Sequence, residues 1–298
     1  MLRLSPRVLA LVVAWSGVGL AGCGEGKGEP PGEPRREFVE VVDEGQTTLR
    51  ADLDLTIGEV TLGHAEDGTL FQAEIDLPAD GFAPAFSSTN ETTESGPQAR
   101  VTLGLASEPA GLRDLGGDLD WRLYFSPERP LDLDLHLGAA SADLELAGIP
   151  LRRLTLQTGV AATDLSFDEP NLEPLRRMDV FAGVGEVELD ELGNARFERL
   201  EFKGGVGRYT LDFTGEAIVP GAEARVEVGI ATLEIALPED VPIVLDAPSS
   251  RVSAVEVPAG LVTLGGGRYA TPGAEDDLDA FTLIVRTGPG RTRITMED

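Results

Sequence analysis

The sequence predicts an all-β chain: a repeat-built β-solenoid, β-helix-like, of short strands with glycine corners. Three observations lead there. Strict alternation of apolar and polar residues recurs along the chain while helical periodicity is scarce, and a period of two belongs to half-buried strands. The alternating runs centre on Gly138, Gly159, Gly183, Gly205, Gly229 and Gly288, the first five separated by 21, 24, 22 and 24 residues, a spacing that marks stacked repeats. The chain of 298 residues also carries 36 glycines and 20 prolines, which favours many turns over long helices.

Read from the start, residues 1–22 form a lipoprotein signal peptide. Met1–Arg7 is a short basic region, and Val8–Leu20 is an apolar run of 13 residues, too short to span a bilayer and suited to a signal peptide. It runs into Leu20-Ala21-Gly22-Cys23, which resembles the bacterial lipobox and makes Cys23, the only cysteine of the chain, the expected lipid-attachment site. A lone free thiol outside the cell would be a liability, and several acyl chains give stable anchorage where one does not. Gly24 in place of Asp points to the outer membrane if the cell is Gram-negative. Residues 23–45 are expected to form a flexible tether, because 24–37 (GEGKGEPPGEPRRE) contain nothing to bury.

Residues 46–298 are expected to be one β-solenoid domain in three parts. In 46–125, a degenerate part, LRADLDLTIGEVTL looks like a first rung around Gly58. Residues 70–77 and 99–105 read as strands bracketing a polar loop, Ser87–Pro97, and Asp118–Phe125 leads into the repeats. Trp121, Tyr124 and Phe125 are read as a plug for the open end of the stack, the rival being a carbohydrate platform.

Residues 126–240 are the regular repeats. Apolar residues stand five and three positions before each glycine (Leu133 and Leu135, Leu200 and Phe202) and six and eight after it (Leu211, Phe213), with Glu191 the one clear break at the last position; four after it stand Ala142, Thr163, Val187, Tyr209, Leu233 and Thr292. Inward positions are odd before the glycine and even after it. Each unit therefore needs a corner that absorbs one residue, and glycine tolerates the backbone angles of such a corner. Two residues further on stand only Ala or Gly: Ala140, Ala161, Gly185, Gly207, Ala231 and Gly290. Small side chains there imply crowding between stacked corners. In 241–298, an insertion with Gly265-Gly266-Gly267 and the acidic run Glu275–Asp279 is expected to form a strand pair and loop. The last rung follows, where Arg291 and Arg293 would blunt an exposed edge.

The charge excludes some partners. The chain has 24 Lys+Arg and 52 Asp+Glu, net −28, with no basic cluster of the kind nucleic acid requires, and it would be repelled by an anionic lipid surface. With 42% hydrophobic residues it is nonetheless a folded globular chain. The two histidines, His64 and His136, have no cysteine or second histidine at metal-ligand spacing. No G-x-S-x-G elbow is present, and Gly204-Gly205-Val206-Gly207 lacks the Lys-Ser/Thr of a phosphate loop. No cofactor is expected. The acids offer the one candidate surface. Five positions after the glycines stand Asp143, Asp164, Glu188 and Glu234, and seven after stand Glu145, Asp190 and Asp212. If rungs stack in sequence order, these form outward acidic ladders about 4.8 Å apart. They make a solvated face, or one that binds divalent cations weakly or meets a basic partner.

The Leu-x-Leu-x-x-Gly-x-Gly/Ala units resemble those of the toast-rack group of bacterial envelope proteins and related adhesin-type β-repeat domains. So do Gly193-Asn194-Ala195 leading into Phe202-Lys203-Gly204-Gly205-Val206-Gly207, and Leu237-Pro238-Glu239-Asp240-Val241 closing a rung. The likeness covers nearly all of 46–298. It implies the fold and an envelope location, and some such proteins modulate envelope-stress signalling; it carries over no catalytic residue. The expectation is a non-enzymatic, lipid-anchored scaffold or protein-interaction module. Its partners would be the membrane, through the N-terminal lipid, and an envelope protein, with no nucleic acid. The alternatives are a modulator of envelope-stress signalling and a glycan-binding or glycan-processing solenoid.

Overall fold

The computed structural model describes residues 34–78, 82–94, 96–106, 119–250 and 252–297. The signal peptide, Cys23 and the first residues of the tether lie outside them. The described residues are all-β, with 17 strands joined in one continuous hydrogen-bonded sheet.

The central rungs are β7 (Leu131–Glu145), β8 (Leu151–Ser166), β9 (Arg177–Asp190), β10 (Arg199–Asp212) and β11 (Glu223–Pro238). They stack in parallel with every repeat position in register: Leu133 lies on Leu154, Leu154 on Met178, Met178 on Leu200 and Leu200 on Ala224. Each rung is one strand bent at its glycine rather than two separate short ones. In β7 the inward residues are Leu131, Leu133, Leu135 and Leu137, then Ala140, Ala142 and Leu144. Two outward residues separate Leu137 from Ala140, which is the expected change of phase. Both halves thus turn their apolar rows to one shared core.

The glycines owe their place to close approach rather than to backbone angle. None of the six central glycines has a positive φ. A Cβ on Gly183 would instead sit 2.4 Å from the Gly159 carbonyl oxygen, one on Gly205 2.3 Å from that of Gly183, and one on Gly229 2.5 Å from that of Gly205. Two residues on, a Cβ on Gly207 would lie 1.9 Å from the Gly185 oxygen, and Gly185 and Gly290 take φ of 149° and 153°, so glycine is needed on these three rungs while the others carry Ala. Gly204 makes room for a different group, the ring of Tyr209, which packs edge-on against Phe202 with centroids 5.2 Å apart.

The loops between rungs close the core's remaining side. Leu146, Ile149, Phe167, Leu175, Leu192, Phe197 and Phe213 are all buried. Two buried asparagines tie successive loops together. Asn171 accepts from the Leu151 N–H and donates to the Leu151 carbonyl, at 3.0 and 2.8 Å. Asn194 donates to the Phe167 carbonyl at 3.0 Å and accepts from the Glu216 N–H at 2.8 Å. Glu191, the break in the apolar pattern, takes φ 52° and turns outward, and Leu192 fills its place in the core.

The N-terminal part departs from expectation in three ways. The tether ends earlier: β1 (Arg35–Val42) pairs antiparallel with β3 (Thr69–Leu77). Val39 and Val41 are buried, because their short alternation finds an apolar face to cover. In β2 (Thr48–His64), the partner of Gly138 is Thr56, whose carbonyl oxygen lies 2.3 Å from the Gly138 Cβ position, and Gly58 lies opposite Ala140. The first rung therefore bends at Thr56, with Gly58 in the small-residue row. Most of the expected polar loop is strand: β4 (Pro84–Thr93) pairs along its length with β5 (Gly96–Leu105). A strand at a sheet edge needs few apolar residues, so its Ser/Thr composition read as loop. β6 (Asp120–Phe125) lies between β3 and the second half of β2. Its Trp121 and Phe125 are fully buried, with the Trp121 indole N–H donating to the Ile57 carbonyl at 3.0 Å. They fill the end of the core as expected, whereas Tyr124, on the other side of the strand, is half-buried and is not part of the plug.

The C-terminal end is out of sequence order. β12 (Ile243–Asp246) and β13 (Ser253–Glu256) form the outermost rung, with the hairpin β14 (Val262–Gly265) and β15 (Arg268–Ala270) beside β12. The chain then returns, so that β16 (Phe281–Thr287) and β17 (Gly290–Glu297) slot between β11 and the outermost rung. The expectation that Arg291 and Arg293 guard an open edge is therefore corrected. Their strand is paired on both sides, and both arginines reach Glu256 of the next rung, at 2.7 and 3.5 Å.

Candidate functional site

The bent strands present two outward faces, and they differ in charge. The face formed by the halves before the glycine is ion-paired between and along rungs. Arg177 contacts Asp179 at 2.6 Å and Glu201 at 3.2 Å, Lys203 contacts Glu201 at 2.6 Å, and Arg50 and Arg100 both hold Asp52. The Lys203 ammonium hydrogen-bonded to Glu201 keeps that carboxyl below the usual range. Arg177, Arg199 and Arg225 line a small hollow of about 130 Å³ with Asp179, Glu201 and Glu223. Its ion pairs stitch rungs together, although exposed pairs of this kind each add little stability.

The face after the glycine holds the predicted ladders. Asp143 lies opposite Asp164, Asp164 opposite Glu188, Glu188 opposite Thr210, Thr210 opposite Glu234, and Glu234 opposite Arg293. In the second ladder Glu145 faces Ser166 and Ser166 faces Asp190, with Asp212 on the rung beyond. The structure thus brings all seven predicted acids onto one face. Asp190 bears the cost most clearly. Partial burial first, then Glu188, Asp212, Asp164 and Glu191, push its carboxyl up to about 6. Asp190, Asp212 and Glu234 border a groove of about 350 Å³ that also contains Arg293 and Glu297.

A second acidic groove lay outside the sequence reading. Asp168, Glu169, Glu191, Glu216 and Asp240 come from successive loops and line about 820 Å³. Its signal was present as an acid near the end of each unit, but loop geometry decides whether such acids align. Among the described residues, no three His, Cys, Asp or Glu side chains are grouped so as to hold a metal ion. His64 contacts the Ala147 carbonyl at 2.5 Å, and His136 lies 3.6 Å from Asp54.

A stack of parallel bent rungs with glycine-on-carbonyl corners and charged outer faces defines a β-repeat rod. The chain matches the family described as the N-terminal domain of toast_rack, DUF2154, over residues 31–190, and it belongs to that family. Solved structures give weaker likenesses. A candidate cell adhesion protein from Clostridium sporogenes ATCC 15579 has a TM-score of 0.45 at 15% identity, covering 89% of this chain and 100% of that one. A candidate adhesin from Bacteroides fragilis NCTC 9343 has a TM-score of 0.36 at 10% identity, covering 87% and 96%. A third, from Parabacteroides distasonis ATCC 8503, has a TM-score of 0.32 at 11% identity, covering 89% and 98%. No curated protein matches the sequence significantly.

Proposed function

We propose that this chain is a non-enzymatic module of the bacterial cell envelope, held at the membrane by a lipid on Cys23, where it acts as a scaffold or protein-interaction rod. The observation that carries the reading is the pair of acidic ladders on the face after the glycines: among the described residues its ion pairs, Arg208 with Glu186 and Arg291 and Arg293 with Glu256, leave all seven ladder acids without one. Facing carboxylates about 4.8 Å apart repel one another, and Asp190 is held near 6 by its surroundings. The opposite face shows that the same fold accommodates ion pairs instead. A face kept acidic at a cost to the fold fits a basic partner surface, or divalent cations bound along the ladder.

Two experiments test the reading. Feeding cells a clickable fatty acid should label the wild-type chain and leave Cys23→Ala unlabelled; equal labelling of the two removes the anchor. Crosslinking the full chain in intact cells, followed by mass spectrometry, should recover one recurrent envelope protein linked to the acidic face. Recovery of polysaccharide alone would move the reading to glycan binding. For the cation version, millimolar Ca²⁺ should raise the melting temperature beyond an ionic-strength control, and an unchanged melting temperature rejects it.

A further inference from the structure

The outer corner between the two faces carries a line of exposed apolar side chains. The residue after each central glycine points outward, and in four consecutive rungs it is Val160, Val184, Val206 and Ile230, between 46% and 64% exposed. These residues lie in register: Val160 opposite Val184, Val184 opposite Val206, Val206 opposite Ile230. The line continues through Ala139 to Ile57, which is half-buried against the core, at one end and through Pro289 and Val252 at the other. Five of the ten large apolar residues exposed among the described residues fall on it, so it is a continuous ridge rather than scattered surface.

The flanks of the ridge differ from the rest of the molecule. Two positions before and three after the corner stand four acids, Asp54, Glu59, Glu186 and Glu227, and four bases, Lys203, Arg208, Arg286 and Arg291. This surround is neutral on a chain of net charge −28. It is also polar along its length: apart from Glu227, the acids lie on the early rungs and the bases on the later ones. Laid side by side in parallel about a two-fold axis along the ridge, two copies would face Asp54 with Glu59, Lys203 with Arg208, and Arg286 with Arg291, all like charges. Laid antiparallel, with the axis between Val184 and Val206, they face Glu186 with Arg208 and Phe181 with Lys203, extending across the seam the contacts that each chain makes between its own rungs, at 3.8 Å and 5.6 Å. The apolar residues then match throughout, Val184 with Val206 and Val160 with Ile230. A lipid surface offers no such match, because the acidic face beside the ridge would be repelled by anionic headgroups.

We propose that this ridge is the contact between two copies of the chain, packed antiparallel about a two-fold axis between Val184 and Val206. Eight rungs at about 4.8 Å give a strip about 34 Å long that covers about 400 Å² on each copy, roughly half the usual area of a stable interface. The pair is therefore weak, and it forms best where copies are concentrated on a shared membrane. The inference goes beyond the proposed function and holds whether or not Cys23 is acylated.

The test is disulfide crosslinking of the full chain in intact cells, with differently tagged V160C and I230C variants expressed together and the parent, whose one cysteine is Cys23, as background. In the antiparallel pair V160C lies against I230C, while two copies of V160C are about 14 Å apart. The mixed dimer should exceed either self-linked dimer at least fivefold. E186R should reduce it, and E186R/R208E should restore it. Self-linking of V160C at the level of the mixed product would overturn the antiparallel register. No mixed product above background, from variants that keep the parent's melting temperature, would overturn the ridge as a contact between copies.

Discussion

Gly205→Ala probes what sets the spacing of the rungs. The added Cβ would stand 2.3 Å from the Gly183 carbonyl oxygen and 3.3 Å from its carbonyl carbon. Both are backbone atoms of a strand paired on each side, so the neighbour cannot rotate away as a side chain would. Relief requires the corner of β10 to move off β9 by about an ångström, which loosens the hydrogen bonds on both sides of it. Overpacking of a rigid site costs about 1–3 kcal/mol, and a backbone obstacle places this substitution at about 3 kcal/mol. For a domain of this size that corresponds to a fall in melting temperature of about 6–12 °C. Gly260→Ala is the matched control, since nothing lies within 4 Å of its Cβ position and its φ is not positive; it should change stability by less than about 0.5 kcal/mol. Urea and thermal unfolding of the full chain, followed by circular dichroism, measure both. If Gly205→Ala matches Gly260→Ala, close approach is not what selects glycine at the corners, and the account of the repeat fails.

Two more outcomes follow from single residues. Asp190, pushed up to about 6 in the folded chain, is more easily ionised when unfolded, so its charge works against the fold above that pH. Stability should rise as pH falls from 7 through 6 toward 4. Asp190→Asn should remove that part of the dependence and stabilise the chain at pH 8, by about 1 kcal/mol once solvent screening at a partly exposed group is allowed for; parallel pH–melting curves would contradict this. Asn194→Ala removes the donor to the Phe167 carbonyl and the acceptor for the Glu216 N–H. Losing both in a buried loop should cost about 2 kcal/mol by urea titration, and a loss below about 0.5 kcal/mol would show that the asparagines do not join the loops.

Much of this architecture was legible because stacked repeats record it several times over. Each inward row is written once per rung, so the register of Leu133, Leu154, Met178, Leu200 and Ala224 could be read by counting from the glycines, and the acidic ladders came with it. The ends were less legible. Thr56 takes the corner of the first rung without a glycine, β4 hides as a polar edge, and β1 shows only a short alternation beside a run of Gly, Pro and Glu. At these places one copy of the pattern exists, or the strand buries too little to print it.

The sequence by itself determined the rung: its period, its corner, its two faces and its inward rows, because these follow from alternation and from the space a glycine leaves. Tertiary structure alone decided the order of the last rungs. It also decided that Ile57 and Val252, about 34 Å apart along the stack, end one line of corner residues, and that acids from separate loops share a groove. Those are properties of stacking, in which residues some 20 positions apart in the chain become neighbours about 4.8 Å apart in space.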